Sequence, residues 1–183
     1  MIRKKSRCAL VSKQETCSMV SSDAIDPFAI IARHQVSAPV SVEAIASDLG
    51  IHLVDRLLPD GDESFLARDG EGTFGYSIQV DHRLPLPSRR FAIAKEVAHF
   101  ALHRDMIEHG LIVDSRSIKL ASNFFEDQAI NFALHILVPQ KDLDRFLINY
   151  GFDILKISDL FVVPPAVMQR YINRIHNSKG LDH

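Results

Sequence analysis

The sequence predicts an α+β fold in which a small, mostly antiparallel sheet of three strands packs on a helical region. Residues 51–80 hold three short segments that alternate like strands, and the turn-forming residues 69–72 separate the last two as in a hairpin. From Ser88 onward, apolar residues recur at three- and four-residue steps, which is the period of a helix. An apolar content of 46% over 183 residues is sufficient for the core of one domain.

Capping and turn signals place the individual elements. Two N-terminal helices are predicted, one after Ser22 and Asp23 and one over residues 42–49, between the cap Ser41 and the stop Gly50. The predicted strands are residues 51–57, 64–68 and 73–80. A long helix capped by Ser88 follows, then a loop-rich stretch over residues 105–122. The remaining predicted helices are residues 123–137, 141–150, 154–161 and 165–175.

Composition restricts the class of protein. Residues 1–22 are rich in Ser, Lys and Thr without any period, which predicts a disordered tail before a domain over residues 23–178. The apolar run of residues 9–11 is too short for a signal peptide, and Cys8 and Cys17 suggest no disulfide framework. A net charge of −2 argues against nucleic acid as the main partner. We therefore expect a cytoplasmic protein that neither enters a membrane nor binds nucleic acid directly.

The segment Lys95-Glu-Val-Ala-His99 carries the chemical prediction. In a HExxH helix, two histidines four residues apart face one Zn²⁺, and the glutamate between them acts as general base on the bound water. Here Glu96 and His99 have the required spacing, and Lys95 stands at the position of the first histidine. By itself ExxH is not specific, because any amphipathic helix can contain it.

Three phrases in order resemble the ImmA/IrrE family of metallopeptidase-like proteins over most of residues 25–177. Residues 90–103 are similar to the family phrase RFTLAHELGHLLLH, residues 126–139 to ExEANxFAAxLLMP with Gln128 and Ile130 as departures, and residues 157–167 to LAxxFxVSPxAV. The resemblance implies a zincin-like helical domain with the KExxH helix at its centre.

The resemblance also implies the roles of the site residues. In the family, the first glutamate of the second phrase is the third zinc ligand of a gluzincin-type site, and Glu126 matches it. His99 and Glu126 would then be metal ligands and Glu96 the general base. A protonated lysine has no lone pair for a metal, so we predict a metal-free site in which Lys95 is the cation and contacts Glu126.

A substitute ligand is the alternative to a metal-free site. His103 follows His99 by four residues and could complete a zinc site. With His103 as the ligand, the site would lie one helical turn, about 5.4 Å, further along the helix, and Glu96 would be on the wrong side of the metal.

Three functions are compatible with the sequence. The first, implied by the resemblance, is a catalytically impaired peptidase homologue that regulates or binds a helix-turn-helix repressor in a phage, mobile-element, stress-response or toxin–antitoxin setting. The second is an active zinc metalloendopeptidase that cleaves such a repressor with an atypical ligand set. The third is a DNA-binding module on residues 157–175, where only Arg170, Arg174 and the nearby Lys179 supply positive charge. Packing of these helices on the core is the better interpretation.

Overall fold

The computed structural model describes residues 25–108, 114–117 and 123–179. The predicted tail, its two cysteines and the predicted cap at residues 22–23 lie outside this part of the chain. Helix α1, Pro27–His34, begins after Asp26, whose carboxylate accepts hydrogen bonds from the N–H groups of Phe28 and Ala29. A capping aspartate followed by proline is a favourable helix start, since proline needs no N–H partner there.

Helix α2, Val42–Asp48, has the predicted cap. The Ser41 hydroxyl accepts a hydrogen bond from the Ala44 N–H, and Gly50 follows the helix with a φ of +68°. The positive φ ends the helix and turns the chain into the first strand. The predicted cap and stop of this helix are therefore confirmed.

The sheet consists of β1, His52–Arg56, β2, Ser64–Arg68, and β3, Tyr76–Asp81, in the order β1-β3-β2. The hairpin strands β2 and β3 are antiparallel, as predicted, but β1 pairs with β3 in parallel. The sheet is thus mixed and not mostly antiparallel. The connection over residues 57–63 carries the chain past the end of β3 to its other side, and strand alternation alone cannot reveal which edge a strand joins.

Helix α3, Leu86–Glu108, is the central element and packs against α2, two strands and the next long helix. It begins before Ser88, and the Pro85 carbonyl accepts the Arg89 N–H, so Ser88 is not its cap. Its buried positions occur on all sides of the helix. A helix buried in this way places polar side chains such as Glu96 and His99 inside the protein, where they need hydrogen-bond partners.

The C-terminal helices complete the domain. They are α4, Asn123–Leu137; α5, Gln140–Tyr150; α6, Ile154–Phe161; and α7, Pro165–Lys179. Residues 115–117 form a helical turn inside the stretch predicted as loop-rich. One apolar core extends from α1 to α7, which confirms the α+β fold class. Within the described ranges, no helix combines the length and apolar character that crossing a bilayer requires.

Candidate functional site

A cleft of about 790 Å³ opens beside the centre of α3. Its walls are residues 61–64 before and at the start of β2, Lys95 on α3, residues 114–117, and Glu126 on α4. The cleft therefore contains two of the residues singled out in the sequence, and His99 and Glu96 lie directly behind them.

Lys95 makes the predicted contact with Glu126. The Lys95 ammonium Nζ donates to Glu126 Oε1 at 3.0 Å and lies 3.6 Å from Glu96 Oε1. Burial lowers the pKa of Lys95, but the negative charges of Glu96, Glu126 and Glu63 outweigh this effect and leave the pKa above its ordinary value. Lys95 is therefore a stable cation at neutral pH and has no lone pair for a metal.

Glu126 is bound on both carboxylate oxygens. Its second oxygen, Oε2, lies 3.1 Å from His99 Nε2, and its side chain is 14% exposed. Burial alone would raise the pKa of Glu126, but the hydrogen bond to His99 and the charge of Lys95 lower it to about 2. Because an ionised carboxylate only accepts hydrogen bonds, His99 Nε2 must carry a hydrogen in this arrangement. That nitrogen is thereby a donor to Glu126 and not a free ligand.

His103 lies on the other side of the His99 ring. Its Nδ1 is 3.2 Å from His99 Nδ1, and its Nε2 is 3.1 Å from the side-chain oxygen Oε1 of Gln128. Burial lowers the pKa of His103. Glu126 and His103 thus approach different nitrogens of His99, so the three side chains do not converge on one point. His103 would have to leave these partners to serve as the substitute ligand considered from the sequence.

Glu96 is held by three donors. Ser64 Oγ donates to Glu96 Oε1 at 2.7 Å, while Ser115 Oγ at 2.7 Å and the Leu66 N–H at 3.1 Å bind Oε2. The residue is only 1% exposed. Sequence reasoning missed Ser64 and Ser115, because neither belongs to a motif and only the folded chain brings them to α3.

The donor set does not fit a catalytic zinc ion. A catalytic site normally has three protein ligands and one open position. Here Lys95 occupies the place of one ligand, and its charge is directed at the oxygen that a metal would need. In the part of the chain that the structure describes, no group of three or more His, Cys, Asp or Glu side chains is arranged to hold a metal ion.

The central KExxH helix, the strand edge beside it and the glutamate supplied by a second helix together define a metallopeptidase-like α+β domain. The chain belongs to the family of IrrE N-terminal-like domains, peptidase family M78, whose model matches residues 46–173. No curated protein matches the chain. Membership of the family fixes the fold, whereas the chemistry of the site depends on its own residues.

Proposed function

We propose that this protein is a catalytically impaired member of its family that regulates a protein partner by binding it without cutting it. The observation that supports this most directly is the 3.0 Å contact between Lys95 Nζ and Glu126 Oε1. The family resemblance makes Glu126 a metal ligand, whereas here the Lys95 ammonium and the His99 ring bind its two carboxylate oxygens.

Competition with zinc favours the ion pair. For zinc to use the site, it would have to displace a lysine whose pKa is raised by three carboxylates. Each unit of pKa corresponds to roughly 1.4 kcal/mol, so deprotonating such a lysine at neutral pH costs several kcal/mol. Even then His99 and Glu126 would be two protein ligands where catalytic zinc uses three.

The charge of the cleft suits a basic partner. Its lining has more acidic than basic side chains: Asp62, Glu63, Asp114 and Glu126 against Lys95 and Arg116. Both cations are already paired, Lys95 with Glu126 at 3.0 Å and Arg116 with Asp62 at 3.4 Å. DNA-binding regulators carry basic surfaces. We propose that the partner is a helix-turn-helix regulator of the phage, mobile-element or toxin–antitoxin kind, and that the protein binds it in the cytoplasm.

Metal content is the first test. We expect the purified, tag-free protein to contain no zinc by elemental analysis and to gain none on titration. The Lys95→His variant should bind about one zinc per chain, because it restores the missing ligand. Lys95→Met is the matched control: it also removes the ammonium but offers no nitrogen, so it should not bind zinc tightly. Near-stoichiometric zinc in the unmodified protein would refute the metal-free site and support the active peptidase.

Partner binding requires a separate test. A helix-turn-helix regulator from the same genome, mixed with the protein, should co-elute on size exclusion and keep its full mass in mass spectrometry. Fragments whose formation stops when a chelator is added would show a working metallopeptidase. Failure of several such regulators to bind at physiological salt would remove the proposed partner class.

A further inference from the structure

We infer that Glu96 is a structural clamp between α3, β2 and the turn at residues 114–117, and that this clamp opposes its use as a general base. The family resemblance makes Glu96 the general base. This inference rests on the proposed function, in which the cleft binds a partner without cutting it. The clamp is a second cause of the lack of cutting, in addition to the missing metal ligand.

Hydrogen bonds from the protein occupy three of the lone-pair positions of the Glu96 carboxylate. An ionised carboxylate offers about four lone-pair positions. Ser64 Oγ binds Oε1, with Lys95 Nζ 3.6 Å away on the same oxygen. Ser115 Oγ and the Leu66 N–H bind Oε2. A general base must be within hydrogen-bond reach of the proton it removes, whereas Glu96 is 1% exposed and the remaining position on its Oε1 faces Lys95.

The same contacts join parts of the chain that are far apart in sequence. Glu96 lies 32 residues from Ser64 and 19 from Ser115. Ser115 Oγ also accepts the Leu66 N–H at 2.9 Å, so the carboxylate, the hydroxyl and the strand form one closed set of bonds. Hydrogen bonds to a buried charge are about twice as strong as neutral ones, and losing the charge leaves several buried donors without an acceptor.

The clamp also occupies the edge of the sheet. Strand β2 is an outer strand, and the Leu66 N–H is donated to Glu96 and Ser115. Next to it, Ala67 forms an antiparallel bridge with Asp114. A bound peptide therefore finds no free N–H at Leu66 with which to continue the sheet.

A double-mutant cycle tests the clamp. We expect Glu96→Gln to lower the melting temperature by roughly 5–10 °C, because a buried charge-assisted network is lost. Ser115→Ala should cost a few degrees in the native protein and clearly less once Glu96 is already glutamine, when the bond from the Leu66 N–H is the main one left to lose. Strict additivity of the two changes would overturn the inference. If Glu96→Gln does not fold, the cycle is run with Glu96→Asp, whose shorter side chain keeps the charge but cannot reach all three donors as glutamate does.

A matched cycle and a zinc-loaded variant complete the test. Asp153→Ala, which removes the cap of α6, shares no hydrogen-bond partner with Ser115 and should be additive with Ser115→Ala. Lys95→His loaded with one zinc per chain should leave unfolded casein uncut. Cleavage of casein by that variant, abolished by Glu96→Gln, would refute the clamp and leave the metal-free wild type untouched. Zinc and cleavage in the wild type would instead refute the proposed function.

Discussion

Lys95 and Glu126 depend on each other because both are largely removed from water. Each side chain is 14% exposed, and the Glu96 carboxylate 3.6 Å from Lys95 adds a second negative charge. A buried ion pair contributes little net stability compared with apolar residues of the same size, yet removing one partner leaves an uncompensated charge. The lysine is thus tolerated in the site only together with the acids around it.

The pair gives a prediction for stability. Lys95→Met should lower the free energy of unfolding by about 3 kcal/mol, since Glu126 and Glu96 would lose their cation. Lys95→Met combined with Glu126→Gln should recover most of this loss. Chemical denaturation of the three proteins measures both effects. A single variant as stable as the wild type would mean that the pair is not coupled.

The sequence predicted this contact but not the surroundings of Glu96. The four-residue spacing of Lys95 and His99 places them on one helix face, and the resemblance placed Glu126 opposite. The bonds from Ser64 and Ser115 could not be predicted, because they depend on the positions of a strand edge and a turn. Such contacts are set by tertiary packing and leave no periodic or spacing signal in the sequence.

At the scale of elements, the hairpin loop packs tightly on the end of α2. The Thr73 N–H donates to the Gly50 carbonyl at 2.9 Å, and a Cβ added at Gly72 would lie 2.5 Å from the same oxygen. This close approach of two backbones fixes β1 beside β3. It also explains why the strands themselves were predictable and the parallel pairing was not: the pairing follows from loop packing and not from strand pattern.

Two glycines in the same loop provide a matched comparison. Gly72→Ala should lower the free energy of unfolding by roughly 2 kcal/mol or more. The added methyl group meets a backbone oxygen that cannot move aside, and the φ of this residue is positive. Gly70→Ala has a positive φ but open space around it, so only a backbone cost of about 1 kcal/mol is expected. Thermal unfolding should rank the two variants in that order. Equal losses would show that the loop does not hold the sheet edge.

At the scale of the whole molecule, the phrases that carry the family resemblance lie on the elements around the core. Residues 90–103 lie on α3, residues 126–139 cover most of α4, and residues 157–167 join α6 to α7. These segments bury α3 between the sheet and α4. The fold class was predictable because burial imposes those patterns. The polar contents of the cleft were less predictable, because folding constrains them less than function does.

The buried carboxylates make the stability of the molecule depend on acid pH. The pKa of Glu126 is about 2 in the folded protein against an ordinary 4.5. Its contribution, about 3 kcal/mol, is therefore fully present above pH 4.5 and is lost as the pH falls towards 2. Asp81, whose pKa the hydrogen bonds from Arg83 also lower to about 2, adds to the slope in the same range.

The difference between the wild type and Glu126→Gln isolates the contribution of the site. Free energies of unfolding measured from pH 7 to pH 2.5 should fall more steeply for the wild type, and the two curves should converge at the acid end. Glutamine cannot be protonated in this range, whereas the Asp81 contribution remains in both proteins. Parallel curves would mean that Glu126 keeps its ordinary pKa. That result would contradict its close bonds to Lys95 and His99, and with them the ion pair on which the proposed metal-free site depends.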